Sequence, residues 1–202
     1  MTPPAPQLHP CSVEANLAQL AGVWHDHIEL YNLDGSPLDD DSLAGSGTPG
    51  PGPFENLVYV DFNGTDLLLT NVHIKGREVA AKTFSGRIRD KLLVFDPLGP
   101  GAYENSGMSG GPGILTFNAP RLEPATEVYM EPDFIILTGP DTRVRHTVLY
   151  RDGLAVRTLT ARGNRVGSDC SRRHPMDARG EAGPVHETPF SSTIWSHLVD
   201  AG

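Results

Sequence analysis

The chain has 202 residues, of which 38% are apolar and 20% charged, enough for one ordinary domain with a sizeable core and too apolar for wholesale disorder. Its 22 glycines and 18 prolines suit many short strands joined by turns. A formal net charge of −9 is repelled by phosphate backbones and anionic lipid, which argues against nucleic acid and membrane as partners.

Residues 1–11 hold four prolines and read as a flexible arm, because proline removes backbone donors and blocks helix. The opening lacks a basic and an apolar signal region, and no stretch approaches the roughly 18 apolar residues of a membrane span, so the expectation is a soluble, cytoplasmic protein. Ser12 has the character of an N-cap. Val13, Leu17 and Leu20 at helical spacing, with Glu14 in the first turn, predict two turns of helix ending near Gly22.

From Trp24 the period changes to two. Trp24, Asp26, Ile28 and Leu30 share one face, and His25, His27, Glu29 and Tyr31 the other, the alternation of a half-buried strand. Turn chemistry follows at residues 32–37, and a Gly/Pro/Ser/Asp-rich stretch from Asp39 to Pro53 reads as a long surface loop. Strands are predicted over 54–62, 66–74, 78–88 and 91–95, weakly around Tyr103, then over 114–118, 127–130, 134–138, 143–150 and 154–162. The Asn63-Gly64 and Asp152-Gly153 pairs mark tight hairpins. About ten short strands on links too short for crossover helices predict an all-β, antiparallel up-and-down barrel spanning residues 12–163. Closure removes the exposed edges. Residues 164–202 read as a polar tail whose end forms a short helix from Ser191 or Ser192.

A short helix, then Gly22-Val23-Trp24 opening the first strand, then a meander, resembles the calycin superfamily of lipocalins and fatty-acid-binding proteins. The resemblance implies that Trp24 plugs the closed end and that a basic residue of the last strand, Arg157 or Arg162, stacks across it. More narrowly, Gly22 to Leu38 and Arg143 to Gly163 look like the first and last hairpin regions of a lipocalin-like family of unknown function. The match covers about a fifth of the chain, and the usual lipocalin Thr-Asp-Tyr triplet is absent. It implies a fold and a pocket without naming a reaction.

A barrel of this size holds one small, usually apolar ligand. The expected lining is Trp24, Ile28 and Leu30 with Val144, Val148 and Arg157. Asp26 and His146, an acid and an imidazole on apolar faces, must find partners or shift their pKa. As a pair they are candidates for general acid/base work, with Tyr150 donating to a developing oxyanion. The competing expectation is that each is a satisfied structural group, or that a bulge turns the face.

His25, His27 and Glu29 have a spacing that can present two imidazoles and a carboxylate to a metal, but with Trp24 inward they face solvent, and no metal is assigned. Cys11 with His9 and Cys170 with His174 match no compact zinc spacing. Two unpaired thiols are the expectation in a cytoplasm. Gly107 to Gly113 lacks the lysine and helix of a phosphate loop and reads as a flexible loop between strands, with a lid at the barrel mouth as one use open to it, and Ser109 lacks a nucleophile-elbow context. Asn63-Gly64-Thr65 reads as a turn rather than a glycosylation site.

The leading expectation is therefore binding of a small hydrophobic metabolite, without a cofactor. The rivals are a cyclase, isomerase or lyase of specialised polyketide or terpenoid metabolism using Asp26, His146 and Tyr150, and a pigment chaperone or chromophore lyase. The oligomeric state stays open.

Overall fold

The computed structural model describes residues 8–38, 52–75, 78–96, 105–118, 120–122, 128–130, 132–151, 153–168, 170 and 186–187. The chain begins with helix α1 (Val13–Leu20), whose N-cap Ser12 is extended and accepts the Ala15 N–H through its side chain. Glu14 sits in the first turn, where a carboxylate favours the positive end of the helix dipole. Val13, Leu17 and Leu20 are buried, so the apolar stripe faces the rest of the molecule as its spacing requires.

Twelve further segments are strands up to β12: β1 (Gly22–Tyr31), β2 (Phe54–Phe62), β3 (Asp66–Lys75), β4 (Glu78–Arg89), β5 (Leu92–Phe95), β6 (Asn105–Gly111), β7 (Ile114–Asn118), β8 (Pro120–Leu122), β9 (Val128–Met130), β10 (Asp133–Gly139), β11 (Thr142–Arg151) and β12 (Leu154–Gly167). Ten of them close into an antiparallel barrel in the order β10-β7-β6-β5-β4-β3-β2-β1-β12-β11, and the β10–β11 pairing seals the ring. The all-β barrel read from the alternation is thus the observed fold. β8 and β9 form a hairpin that extends the end of β11, and a two-residue strand, β13 (His186–Glu187), runs parallel to β4 at Ala80 and Ala81.

The Asn63-Gly64 turn forms as its chemistry dictates. The Asn63 side-chain oxygen, Oδ1, accepts the N–H groups of Thr65 and Asp66 at 3.0 and 2.8 Å, and Gly64 takes the left-handed conformation with φ +100°, which favours glycine.

Two expectations are corrected. Residues 107–111, expected to be part of a flexible loop between strands, belong to barrel strand β6. Here glycine serves packing: a Cβ on Gly107 would stand 2.7 Å from the Phe117 ring, so its absence lets that ring lie across the strand. β12 also runs beyond Arg162 to Gly167, paired with β1 as far as Val23. The expected strand at Tyr103, residues 39–51 of the expected loop, His174 and the expected helix near Ser191 lie outside the described residues. Cys11 is exposed and Cys170 half-buried, and neither is in a disulfide. Among the described residues no helix is long and apolar enough to cross a membrane.

The main core lies between the inner face of the barrel and α1, drawing on Leu17, Leu20, Trp24, Ile28, Val60, Leu93, Leu115 and Ile135, among others. A smaller cluster of Val23, Tyr59 and Val72 lies on the outer face of β1 to β3.

Candidate functional site

The inner face of β1 carries Trp24, Asp26, Ile28 and Leu30, all buried. Trp24 donates its indole N–H to the Leu20 carbonyl at 2.7 Å, so the end of α1 fixes the ring. Two guanidinium groups stack on it, Arg143 at 4.6 Å and Arg165 at 4.4 Å from the ring centroid, in cation–π geometry. Arg165, in the extended part of β12, is the last-strand residue that takes the place expected of Arg157 or Arg162. It also donates to the carbonyls of Ala21 and Gln19, where a cation suits the negative end of the helix. Arg162 is exposed, and Arg157 is buried nearer the start of β12.

On β11 the expected face is inverted. Arg143, Arg145, Thr147 and Leu149 are buried, whereas Val144 and Val148 are half-buried between them and His146 is exposed, 3.2 Å from Thr160 Oγ1. Tyr150 is half-buried beyond a register shift at Leu149. Asp26 and His146 therefore do not meet, and the expected acid/base trio is not assembled. The physical reason is that the interior holds arginines whose charges are answered. Arg143 binds Asp26 in a bidentate pair, Nε to Oδ1 at 3.1 Å and Nη2 to Oδ2 at 2.7 Å, and Arg145 pairs with Asp133 at 2.6 Å. Asp133 also accepts the Thr147 hydroxyl at 2.8 Å. Such pairs make burial of charge tolerable.

The register sets these groups in a line across the inner wall. His73 on β3 faces Asn56 on β2, Asn56 faces Asp26 on β1, Asp26 faces Gly163 on β12, and Gly163 faces Arg143 on β11. Gly163 is the gap over which the ion pair forms, since a Cβ there would overlap Asp26 Oδ1 and stand 3.0 Å from Arg143 Nε. Asn56 is completely buried, yet among the described residues neither its amide nitrogen nor its side-chain carbonyl oxygen has a hydrogen-bond partner. Asn16 of α1, equally buried, is the contrast. Its nitrogen lies 2.8 to 3.2 Å from Ser109 Oγ and the carbonyls of Gly111 and Ile114, and its oxygen accepts the Gly113 N–H at 2.7 Å.

Beside this polar line stands an aromatic wall. Phe84 meets Phe95 and Phe95 meets Phe117 edge to face, with centroids 6.4 and 5.8 Å apart, and Phe54 meets the His73 ring at 6.2 Å. The inner face thus offers both flat apolar surface and fixed polar groups, the usual make-up of a small-molecule site. Asn56, His73, Arg143 and Arg145 were missed from the sequence. For Asn56 a signal existed, because it alternates with Phe54, Val58 and Val60 on the apolar face of its strand.

On the outer face of β1, His25, His27 and Glu29 do not converge on one point. His25 and His27 converge on Glu55 of β2, at 2.9 and 2.7 Å, while Glu29 accepts the Tyr31 hydroxyl at 2.8 Å. That hydrogen bond raises the Tyr31 pKa above its ordinary value. Among the described residues no group of three His, Cys, Asp or Glu side chains is placed to hold a metal.

No protein-family model matches the chain, and no curated protein does. Solved structures match it in shape. A protein of unknown function from the DUF3598 family of Nostoc punctiforme aligns with a TM-score of 0.53 at 16% identity over 74% of this chain and 49% of its own, so the chain spans about half that protein's length. The S-type phycobiliprotein lyase CPES of Guillardia theta aligns with a TM-score of 0.55 at 12% identity over 78% of this chain and 94% of its own. What the chain shares with these two proteins is its fold, here a closed antiparallel barrel of ten strands.

Proposed function

We propose that the barrel binds a small, largely hydrophobic metabolite within its wall, with Trp24 and α1 closing one end and the guest entering from the other. The observation that carries this reading is the inner face itself, where the Phe84, Phe95 and Phe117 rings stand in one wall with a line of fixed polar groups beside it. Trp24, Ile28, Leu30 and Arg157 remain the proposed lining, since all four are buried. Binding is favoured over catalysis by the same trio because Asp26 is locked to Arg143 and His146 faces outward. Kinship of shape with a phycobiliprotein lyase keeps a pigment chaperone or chromophore lyase as the second reading.

The test is titration of the purified full chain with the apolar fluorophore 1-aminoanthracene, followed by native mass spectrometry of protein taken from its own host. Saturable fluorescence enhancement at one molecule per chain, displaced by a host-derived small molecule, is the expected result. Absence of any saturable binding overturns the proposal.

A further inference from the structure

We infer that the guest presents a planar edge with a hydrogen-bond donor beside an acceptor, as a lactam does, and that Asn56 reads this edge. The inference rests on the proposal that the barrel holds a guest at all. A primary amide offers an N–H donor and a carbonyl acceptor side by side, so its full complement is a group carrying the reverse pair in one plane. Asn56 is completely buried with both halves of that offer unused, a state proteins rarely leave unexplained. Its neighbours in the line do not fill the need. Both carboxylate oxygens of Asp26 are engaged by Arg143, the Phe54 ring carries no N–H or carbonyl to offer, and the His73 ring, packed edge to face on Phe54, makes no hydrogen bond to Asn56. Where this fold uses a buried asparagine as a fastener it satisfies it, as Asn16 shows with bonds to both of its amide atoms. Among the described residues Asn56 fastens nothing, and the alternation of β2 aims it into the barrel with Phe54 and Val58. An unpartnered amide between apolar positions is set to discriminate, because a ligand lacking either half leaves a buried group unpaired and is rejected steeply.

The experiment displaces 1-aminoanthracene from the full chain with three matched competitors: 2-quinolone, which carries the N–H beside its carbonyl, N-methyl-2-quinolone, which lacks the donor, and coumarin, a lactone that also lacks it. The native protein is expected to bind 2-quinolone about tenfold or more tightly than either analogue. Asn56→Leu is expected to bind all three within about threefold of one another and to melt no lower than the native protein, since an apolar isostere removes an unpaired group. Should the leucine not fold, Asn56→Ala carries the same comparison. If 1-aminoanthracene binds but the native protein does not separate the competitors, the inference falls and the guest-binding proposal stands. A clear drop in melting temperature for Asn56→Leu, the mark of an amide bonded to internal water alone, also overturns it. If 1-aminoanthracene does not bind, both fall together.

Discussion

Gly163 and Asp26 face each other across β12 and β1, and the Asp26 carboxylate occupies the space that any side chain at 163 would fill. The bidentate pair with Arg143 exists because that position is glycine. Gly163→Ala is therefore expected to force the carboxylate off its partner, and breaking a buried pair costs about 3–5 kcal/mol. Urea unfolding should show a free-energy loss of that size, read as a lower midpoint with an unchanged slope. Asp26→Leu should cost a similar amount, whereas Asp26→Leu with Arg143→Met should recover most of it, because both charges are then gone.

Asn16 is the clasp between α1 and the β6–β7 hairpin, bonding to Ser109, Gly111, Gly113 and Ile114. Asn16→Leu strands several backbone groups at once, each worth about 1–3 kcal/mol when left unpaired. A loss of at least about 3 kcal/mol is expected, together with faster amide exchange at Gly113. Stability unchanged from the native protein would contradict this role.

His146 faces solvent, with its Nδ1 3.2 Å from Thr160 Oγ1. His146→Ala is expected to leave the unfolding free energy within about 0.5 kcal/mol of the native value, as for surface substitutions generally. Its 1-aminoanthracene affinity should be unchanged as well, as measured by the same titration.

Asp66 and Arg87 form a surface pair at 2.6 Å. The Arg87 hydrogen bond holds the Asp66 carboxyl below its ordinary pKa. A depressed carboxyl contributes stability above its unfolded-state pKa, and that contribution disappears as pH falls through the folded-state value. Arg87→Ala is thus expected to be slightly less stable than the native protein near neutrality. The difference in melting temperature should shrink steadily as pH is lowered from about 5 to about 2.

The fold was legible because β1 alternates Trp24, Ile28 and Leu30 inside with His25, His27 and Glu29 outside, and because Asn-Gly chemistry marks the turn between β2 and β3. β11 defeats that rule. In Arg143-Val144-Arg145-His146-Thr147-Val148 the valines form the more apolar series, yet the arginines are inside. What reverses the preference is a carboxylate 117 residues away in sequence, Asp26, and a strand alone cannot reveal a partner that distant. The glycine-rich β6 misleads for a related reason. Its value lies in the room left for Phe117, a ring on the next strand, and composition alone reads it as slack chain. At the site, Trp24, Ile28 and Leu30 were readable from period two, while Arg143, Arg145 and His73 were readable only with the register in hand.

Arg165 ties β12 back to carbonyls of the first helix across 144 and 146 residues of sequence. On a ribosome that distance becomes time. At roughly 5–20 residues per second, the outer edge of β1 waits roughly 7 to 30 seconds for its second neighbour to be made. Throughout that interval the nascent chain displays an unpaired strand, which gives a holding chaperone a place to grip and gives a second nascent chain a place to misjoin.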